Sequence, residues 1–270
     1  MVLELVPRPA GLKQIIDESV DVKSFVFEFT DGSKLNSLPG QFVEVSMPGV
    51  GESTFAVSRL EDGCRRFHVS VKRMGHVTKA LHRSAVGETI FVRGPYGKPF
   101  PVADWKGRDI LIVGGGIGLA PLRPVVDHIL ANRRDYGKLD ILFGARTPGD
   151  MIFRTDLEAW GKNPGIKLVK TIDVECVDWD GCVGLLPNVV KQQVYKPDGR
   201  IAVVCGPPVM IRFTMAALKE LGWPDQQVYT TLEMKMQCGI GQCGRCNIGG
   251  KYVCKDGPVF RLDQITPNVI

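Results

Sequence analysis

No stretch of 18 or more consecutive apolar residues occurs in the 270-residue chain, so the sequence offers no conventional membrane-spanning helix and insertion into a membrane is not expected. The opening residues, MVLELVPRPAGLKQ, lack a basic segment followed by an apolar run and a small-residue cleavage site. The expectation is a soluble, cytoplasmic protein. Histidine is scarce: His68, His76, His82 and His128 are all there are. They show no ligand spacing with one another and read as ordinary strand or helix residues. No Ser-His-Asp or paired-carboxylate arrangement can be argued, so a hydrolytic site has no support. Excess charge is small, +5, with Lys and Arg scattered among acids, which speaks against nucleic acid as a partner. Internal repeats and low-complexity tracts are also missing.

What is present is 44% apolar residues, material for two cores and a small appendage, hence two to three domains. The first hundred residues read as short β segments: SFVFEFT at 24–30, QFVEVSM at 41–47, RFHVSVKR at 66–73 and TIFVRG at 89–94. Turn residues separate them at intervals typical of a small antiparallel barrel. One helix-like stretch, HVTKALHRSA, interrupts the series. Beyond 103–108 the pattern changes to apolar strands at 109–113, 139–144, 166–172, 200–206 and 227–232. Helical candidates lie between them at 119–132, 150–160, 186–193 and 208–221. Such alternation predicts a parallel sheet covered by helices. From about residue 233 the chain is rich in Gly, Cys and Lys, with no long periodic element.

Four of the eight cysteines fall within seventeen residues, CGIGQCGRCNIGGKYVC, at Cys238, Cys243, Cys246 and Cys254. The spacing C-x4-C-x2-C matches, over its first three members, the plant-type [2Fe-2S] pattern, in which a Gly-rich loop wraps the cluster. Gly239, Gly241 and Gly244 suit a chain that must take unusual dihedrals near inorganic sulfide. Four thiolates also make a structural zinc site, which stays open as the alternative, although zinc more often joins two C-x2-C knuckles across a longer gap.

Directly after the strand at 109–113 comes GGGIGLAPLRP, with Gly114, Gly115, Gly116, Ile117, Gly118 and Pro121, and then a helix. A dinucleotide pyrophosphate needs this placement: glycines admit the backbone, and the helix offers free N–H groups. Pro121 stands where the Rossmann fingerprint wants Gly or Ala, and the second strand ends in Gly144-Ala145-Arg146 without an acid, so an ordinary Rossmann dehydrogenase is disfavoured. A turn serving only strand-to-helix packing is the plainer alternative. Arg146 can grip a pyrophosphate or an adenosine 2′-phosphate, or serve as a surface charge. Cys176 and Cys182, with Asp178 and Asp180 between them, read as ordinary loop residues in a cytosolic protein, and Cys64 as a locally packed one.

Together these residues resemble the ferredoxin–NADP+ reductase superfamily, in particular members with a C-terminal [2Fe-2S] domain. Among those are the γ subunits of cytoplasmic NAD(P)-linked NiFe hydrogenases and the electron-transfer subunit of dihydroorotate dehydrogenase. STFAVS at 53–58 lies where the family contacts the isoalloxazine ring. SVKRMGHVT at 70–78 resembles the segment for the ribityl and pyrophosphate, and GPYG at 94–97 closes the barrel. GGGIGLAP, GAR and CGPP resemble the nicotinamide-dinucleotide motifs. The resemblance implies FAD contacts at Ser53, Thr54, Phe55, Ala56, Ser70, Val71, Lys72, Gly75, Val77 and Thr78. It also places Cys205, Gly206 and Pro207 near the nicotinamide, with a small apolar core residue as the plainer reading of Cys205. One departure stands out: the family's flavin strand carries Arg, an apolar residue and then Ser or Thr, where this chain has Ser53, Thr54, Phe55 and Ala56. A fixed positive charge and a side-chain hydrogen bond to flavin N5 are thereby missing, with Lys72 and Arg73 as candidates for the charge or as a solvated strand edge.

The expected fold is multi-domain: an antiparallel flavin-binding β-barrel over 1–102, an NAD(P)-binding α/β parallel-sheet domain over 103–226 and a small C-terminal [2Fe-2S] domain over 227–270. The expected activity is electron transfer between NAD(P)H, FAD and the cluster, serving protein subunits of a larger redox complex such as a hydrogenase. The dihydroorotate dehydrogenase subunit is the alternative, and a non-catalytic assembly or regulatory subunit retaining the fold is a further one.

Overall fold

A computed structural model of the chain describes residues 5–193 and 195–265. The first four residues of the N-terminal segment read above and the last five of the expected cluster domain lie outside that range. Two compact units emerge. One comprises residues 1–100, 123–127 and 232–259, and the other 101–122, 128–231 and 260–270.

In the first unit the strands are β1 (Arg8–Asp17), β2 (Val22–Phe29), β3 (Phe42–Met47), β4 (Gly51–Glu61), β5 (Arg66–Lys72) and β6 (Thr89–Tyr96), with helix α1 (His76–Leu81) before β6. They close an antiparallel barrel in the order β1-β2-β5-β4-β3-β6. Period-2 alternation drives it. Phe25, Phe27, Phe67, Val69, Val43, Val45 and Val92 are fully buried in one core. Burying each side chain of that size contributes on the order of 2 kcal/mol. The intervening residues, among them Ser24, Glu44, Glu52, Thr54, Ser58, Ser70 and Arg93, face the other way. The four segments read as strands in the sequence are all present. β1 is an addition: Arg8, Pro9 and Gly11 obscure its pattern, and a register shift between Leu12 and Gln14 breaks its alternation.

The second unit carries β7 (Ile110–Gly115), α2 (Leu119–Ala131), β8 (Leu139–Ala145), α3 (Arg154–Gly161), β9 (Ile166–Ile172), β10 (Cys182–Val183), α4 (Leu186–Gln192), β11 (Ile201–Cys205), α5 (Pro208–Glu220) and β12 (Val228–Thr231). β7 to β12 form parallel pairs in the order β10-β9-β8-β7-β11-β12. Leu111 and Val113 of β7, Val189 and Val190 of α4, and Ile211, Met215 and Leu218 of α5 share one core. The helix expected from 150 starts only at Arg154, because Phe153 takes a left-handed conformation (φ 54°) that ends the short turn before it. The tail contributes a two-residue hairpin, β13 (Asn247–Ile248) and β14 (Lys251–Tyr252), then α6 (Val253–Asp256) and β15 (Val259–Arg261), the last strand of the large sheet. Among the described residues no helix is long and apolar enough to cross a membrane.

Candidate functional site

The four tail cysteines come together as two pairs. The Cys243 thiol acts on that of Cys238, and the Cys246 thiol on that of Cys254, with Cys238 near enough to act on Cys254 as well. Among the described residues no three His, Cys, Asp or Glu side chains converge as a single ion would require. A tetrahedral zinc needs all four thiolates at one point, whereas a two-iron cluster takes one pair per iron. Four thiolates grouped in this way are a donor set that a two-iron cluster can take.

Backbone N–H groups point at the sulfurs: Gly241 donates to Cys254 Sγ (3.1 Å), Gln242 and Cys243 to Cys238 Sγ (3.2 and 3.4 Å), and Cys254 to Cys246 Sγ (3.4 Å). Gly239, Gly241 and Gly244 have φ of 77°, 78° and 72°, the left-handed region that lets the loop turn its amides inward. At Cys238 burial pushes the thiol up, but the amides of Cys243, Ile240 and Gln242 outweigh it and hold the thiol down at about 6. Burial and the neighbouring Cys246 thiol push Cys254 up. Donors already aimed at sulfur are what a thiolate-bound centre needs.

This loop rests on the barrel. Arg93 of β6, its side chain 5% exposed, donates to the carbonyls of Cys238 (2.7 Å) and Gln237 (2.5 Å). Its Nε bonds Glu52 of β4 at 2.8 Å. Beside it Glu44 of β3, 1% exposed, accepts a hydrogen bond from Thr54 at 2.8 Å. Burial pushes the Glu44 carboxyl up to about 7, against the opposing pull of Thr54 and the Arg93 charge. Gly239 lies against the Tyr96 ring, where a Cβ would approach to 2.9 Å. Sequence reading missed these acids and Arg93. Each occupies an outward strand position, the place of a solvated charge, and the distant tail closes over Arg93.

Ser53, Thr54, Phe55 and Ala56 lie on β4 and pair with β3. β4 pairs with β5 only from Val57 onward, after which a register shift follows. Among the described residues, one edge of 53–56 therefore has no strand partner. Such an edge supplies backbone donors and acceptors to a polar ring, which fits a flavin bound without the family's side-chain contacts. Farther along the same face, the buried hydroxyls of Ser58, Ser70 and Ser24 form a chain (3.0 and 2.8 Å) that ends on Glu18 (2.7 Å). Val71 faces the barrel core. Lys72 pairs with Asp21 (3.4 Å), and the Arg73 amide donates to the Asp21 carbonyl. Gly75 caps α1, with Val77 and Thr78 in its first turn. The Thr78 hydroxyl accepts the amides of Met74 and Gly75 (2.9 and 2.8 Å).

In the second unit, Gly114 and Gly115 end β7, Gly116–Gly118 form a tight turn, and Pro121 lies in the first turn of α2. β8 flanks β7 on one side and β11 on the other, so the strand order reverses here, the crevice where open parallel sheets take ligands. Gly116 has φ 53° and open space where a side chain would be. Gly118 abuts the 205–207 turn: a Cβ there would lie 2.5 Å from the Gly206 backbone. The two glycine motifs thus meet at one point, which fits a pyrophosphate that must approach the backbone closely. Cys205, 2% exposed, contacts the Thr231 hydroxyl through Sγ at 2.7 Å, and Pro207 caps α5. Arg146 is 77% exposed, with Asp150 at 3.7 Å. Cys64, Cys176 and Cys182 carry free thiols.

Three families match in sequence order: the oxidoreductase FAD-binding domain over 9–100, the oxidoreductase NAD-binding domain over 112–216, and the iron-sulfur cluster binding domain of dihydroorotate dehydrogenase B over 233–266. The chain is 36% identical to the sulfhydrogenase 1 γ subunit of Pyrococcus furiosus, covering 92% of this chain and 89% of that one. It is 35% identical to a probable dihydroorotate dehydrogenase B (NAD(+)) electron transfer subunit of Methanothermobacter thermautotrophicus, covering 97% and 91%. Among solved structures, a chain of the NADH-dependent reduced ferredoxin–NADP oxidoreductase superposes with a TM-score of 0.80 at 26% identity, over 96% of this chain and 90% of that one. With its closed barrel, its parallel sheet and its paired thiols in that order, the chain belongs to the family of oxidoreductase electron-transfer subunits that join an FAD-binding, an NAD-binding and an iron-sulfur domain in a ferredoxin–NADP+ reductase-like fold.

Proposed function

We propose that this subunit carries electrons between a nicotinamide dinucleotide and a hydrogenase-type protein partner by way of FAD held on the barrel and a [2Fe-2S] cluster held on the tail. The observation that carries this is the pairing of four thiols in a loop whose amides face sulfur and whose backbone is anchored to the barrel by Arg93. A dihydroorotate dehydrogenase partner is the second reading, favoured by the family matched over 233–266. Bound flavin supplies the exchange between two-electron hydride transfer and one-electron steps.

The residues divide the work. Ser53, Thr54, Phe55 and Ala56 offer the open strand edge to the ring. Ser70, Val71, Lys72, Gly75, Val77 and Thr78 frame the ribityl and pyrophosphate. Gly114, Gly115, Gly116, Ile117, Gly118 and Pro121 seat the dinucleotide pyrophosphate, Arg146 reaches its outer phosphate groups, and Cys205, Gly206 and Pro207 flank the nicotinamide. Cys238, Cys243, Cys246 and Cys254 hold the cluster. The domains run 1–102, 103–226 and 227–270, and the location is the cytoplasm, where cysteines such as Cys64, Cys176, Cys182 and Cys205 stay reduced. An anaerobic visible spectrum with flavin, iron and acid-labile sulfide analysis tests the reading. One FAD, two irons and two sulfides per chain, with bleaching by NADH or NADPH, are expected. Stoichiometric zinc without sulfide overturns it.

A further inference from the structure

Arg93 is a costly residue to bury unless it has a task. Its guanidinium is fully engaged: Nε and one terminal nitrogen on Glu52, both terminal nitrogens on the carbonyls of Gln237 and Cys238, and a longer contact to the Tyr96 hydroxyl at 3.4 Å. Ser46 holds Glu52 from the other side. A planar, delocalised cation makes this fork where an ammonium cannot. The arrangement is also polar in a defined sense. The positive end sits on the cluster loop, at the backbone of its first cysteine, and the negative end, Glu52, sits back on β4. Glu52 is the strand neighbour of Ser53 and pairs with Ser46 of β3, so the same ion pair touches the strand that offers its open edge to the flavin.

We infer that Arg93 is the positioning residue of the cluster loop and that the Arg93–Glu52 pair sets the reduction potential of the centre held there. This rests on Cys238 and its partners holding a [2Fe-2S] cluster. Adding an electron to the cluster adds negative charge beside Cys238. A cation fixed on that cysteine's carbonyl favours the reduced state, and the carboxylate behind it opposes it. Arg93 is 5% exposed and Glu52 27%, so water screens the cation poorly and the carboxylate in part. Removing the cation must lower the potential, and removing the carboxylate's charge while Arg93 stays on its carbonyls must raise it. Loosened packing alone has no reason to move the two variants in opposite directions.

The test is an anaerobic redox titration of the purified full chain, following the reduced cluster by electron paramagnetic resonance, for wild type, Arg93→Gln, Arg93→Lys and Glu52→Gln, with iron and sulfide measured on each. Arg93→Gln is expected to shift the midpoint downward by about a tenfold change in the oxidised-to-reduced ratio, about 59 mV for one electron. Glu52→Gln is expected to shift it upward by a similar amount. Arg93→Lys keeps the charge without the fork, and should broaden the signal or lower cluster content while moving the midpoint less than Arg93→Gln. If Arg93→Gln loses the cluster, Glu52→Gln decides: an upward shift supports the assignment and an unchanged midpoint overturns it. Shifts of the same sign in Arg93→Gln and Glu52→Gln, or none, also overturn it. A wild-type chain without iron and sulfide is a separate outcome that removes the cluster reading itself.

Discussion

Replacing Glu44 by Gln should stabilise the protein, and more so as the pH rises. Glu44 is 1% exposed and accepts one hydrogen bond from Thr54, a bond that a Gln carbonyl also accepts. Burial lifts its carboxyl from 4.5 to about 7. Between those values the folded chain keeps a proton that the unfolded chain has lost. Stability therefore falls with pH across that window, and the full penalty is present above it. At about 1.4 kcal/mol per tenfold change in proton affinity the penalty amounts to about 3 kcal/mol at pH 8 and about 1.4 kcal/mol at pH 5.5. Glu44→Gln removes it, so the variant should gain about 2 kcal/mol more at pH 8 than at pH 5.5. Urea unfolding followed by circular dichroism measures this. All four tryptophans, Trp105, Trp160, Trp179 and Trp223, belong to the second unit, so their emission marks that unit's transition and leaves the barrel's identifiable. An equal gain at both pH values, or a loss at pH 8, would refute the argument and mean that Glu44 is ionised in the folded barrel.

Four further outcomes are expected. Gly116→Val forces a β-branched residue into φ 53° and fills the space left open at that turn. Nucleotide affinity should fall at least tenfold in titrations with NADH while flavin content stays unchanged. Gly118→Ala drives a Cβ to 2.5 Å from the Gly206 backbone and should cost about 1–3 kcal/mol, read as a lower urea midpoint in tryptophan emission. Arg146→Ala should weaken NADPH binding far more than NADH binding if its exposed guanidinium reads a 2′-phosphate, and equal losses for both leave it a pyrophosphate or structural residue. Cys246→Ser should abolish the [2Fe-2S] signal and partner reduction, yet leave flavin bleaching by NAD(P)H and reduction of a small artificial acceptor intact.

The legible parts of this chain are those whose chemistry is local. The cysteine spacing announces the paired thiols because the ligands and the glycines that turn the amides lie within seventeen residues. The Gly114–Gly118 turn could likewise be read from a strand, a glycine run and a helix in succession. β1 was hidden because a bulge erased its alternation. β4 was recognised through the resemblance of STFAVS rather than through its own pattern, since its polar and small residues look like loop. The Glu44, Glu52 and Arg93 group was illegible for a different reason: a charge on the outer face of a strand is ordinary until something covers it. What covers it is chain more than 140 residues away, and no window of sequence contains both.

That separation also fixes an order of events during synthesis. Arg93 and the Cys238 carbonyl are 145 residues apart, which at 5–20 residues per second means about 7 to 29 s between their emergence from the ribosome. A barrel whose strands all lie within its first 96 residues folds far sooner than that. Its charged face is therefore made before the loop that comes to lie on Arg93. The last thiol of the set, Cys254, is translated later still, so iron and sulfide delivery is necessarily a late maturation step that meets a barrel already folded.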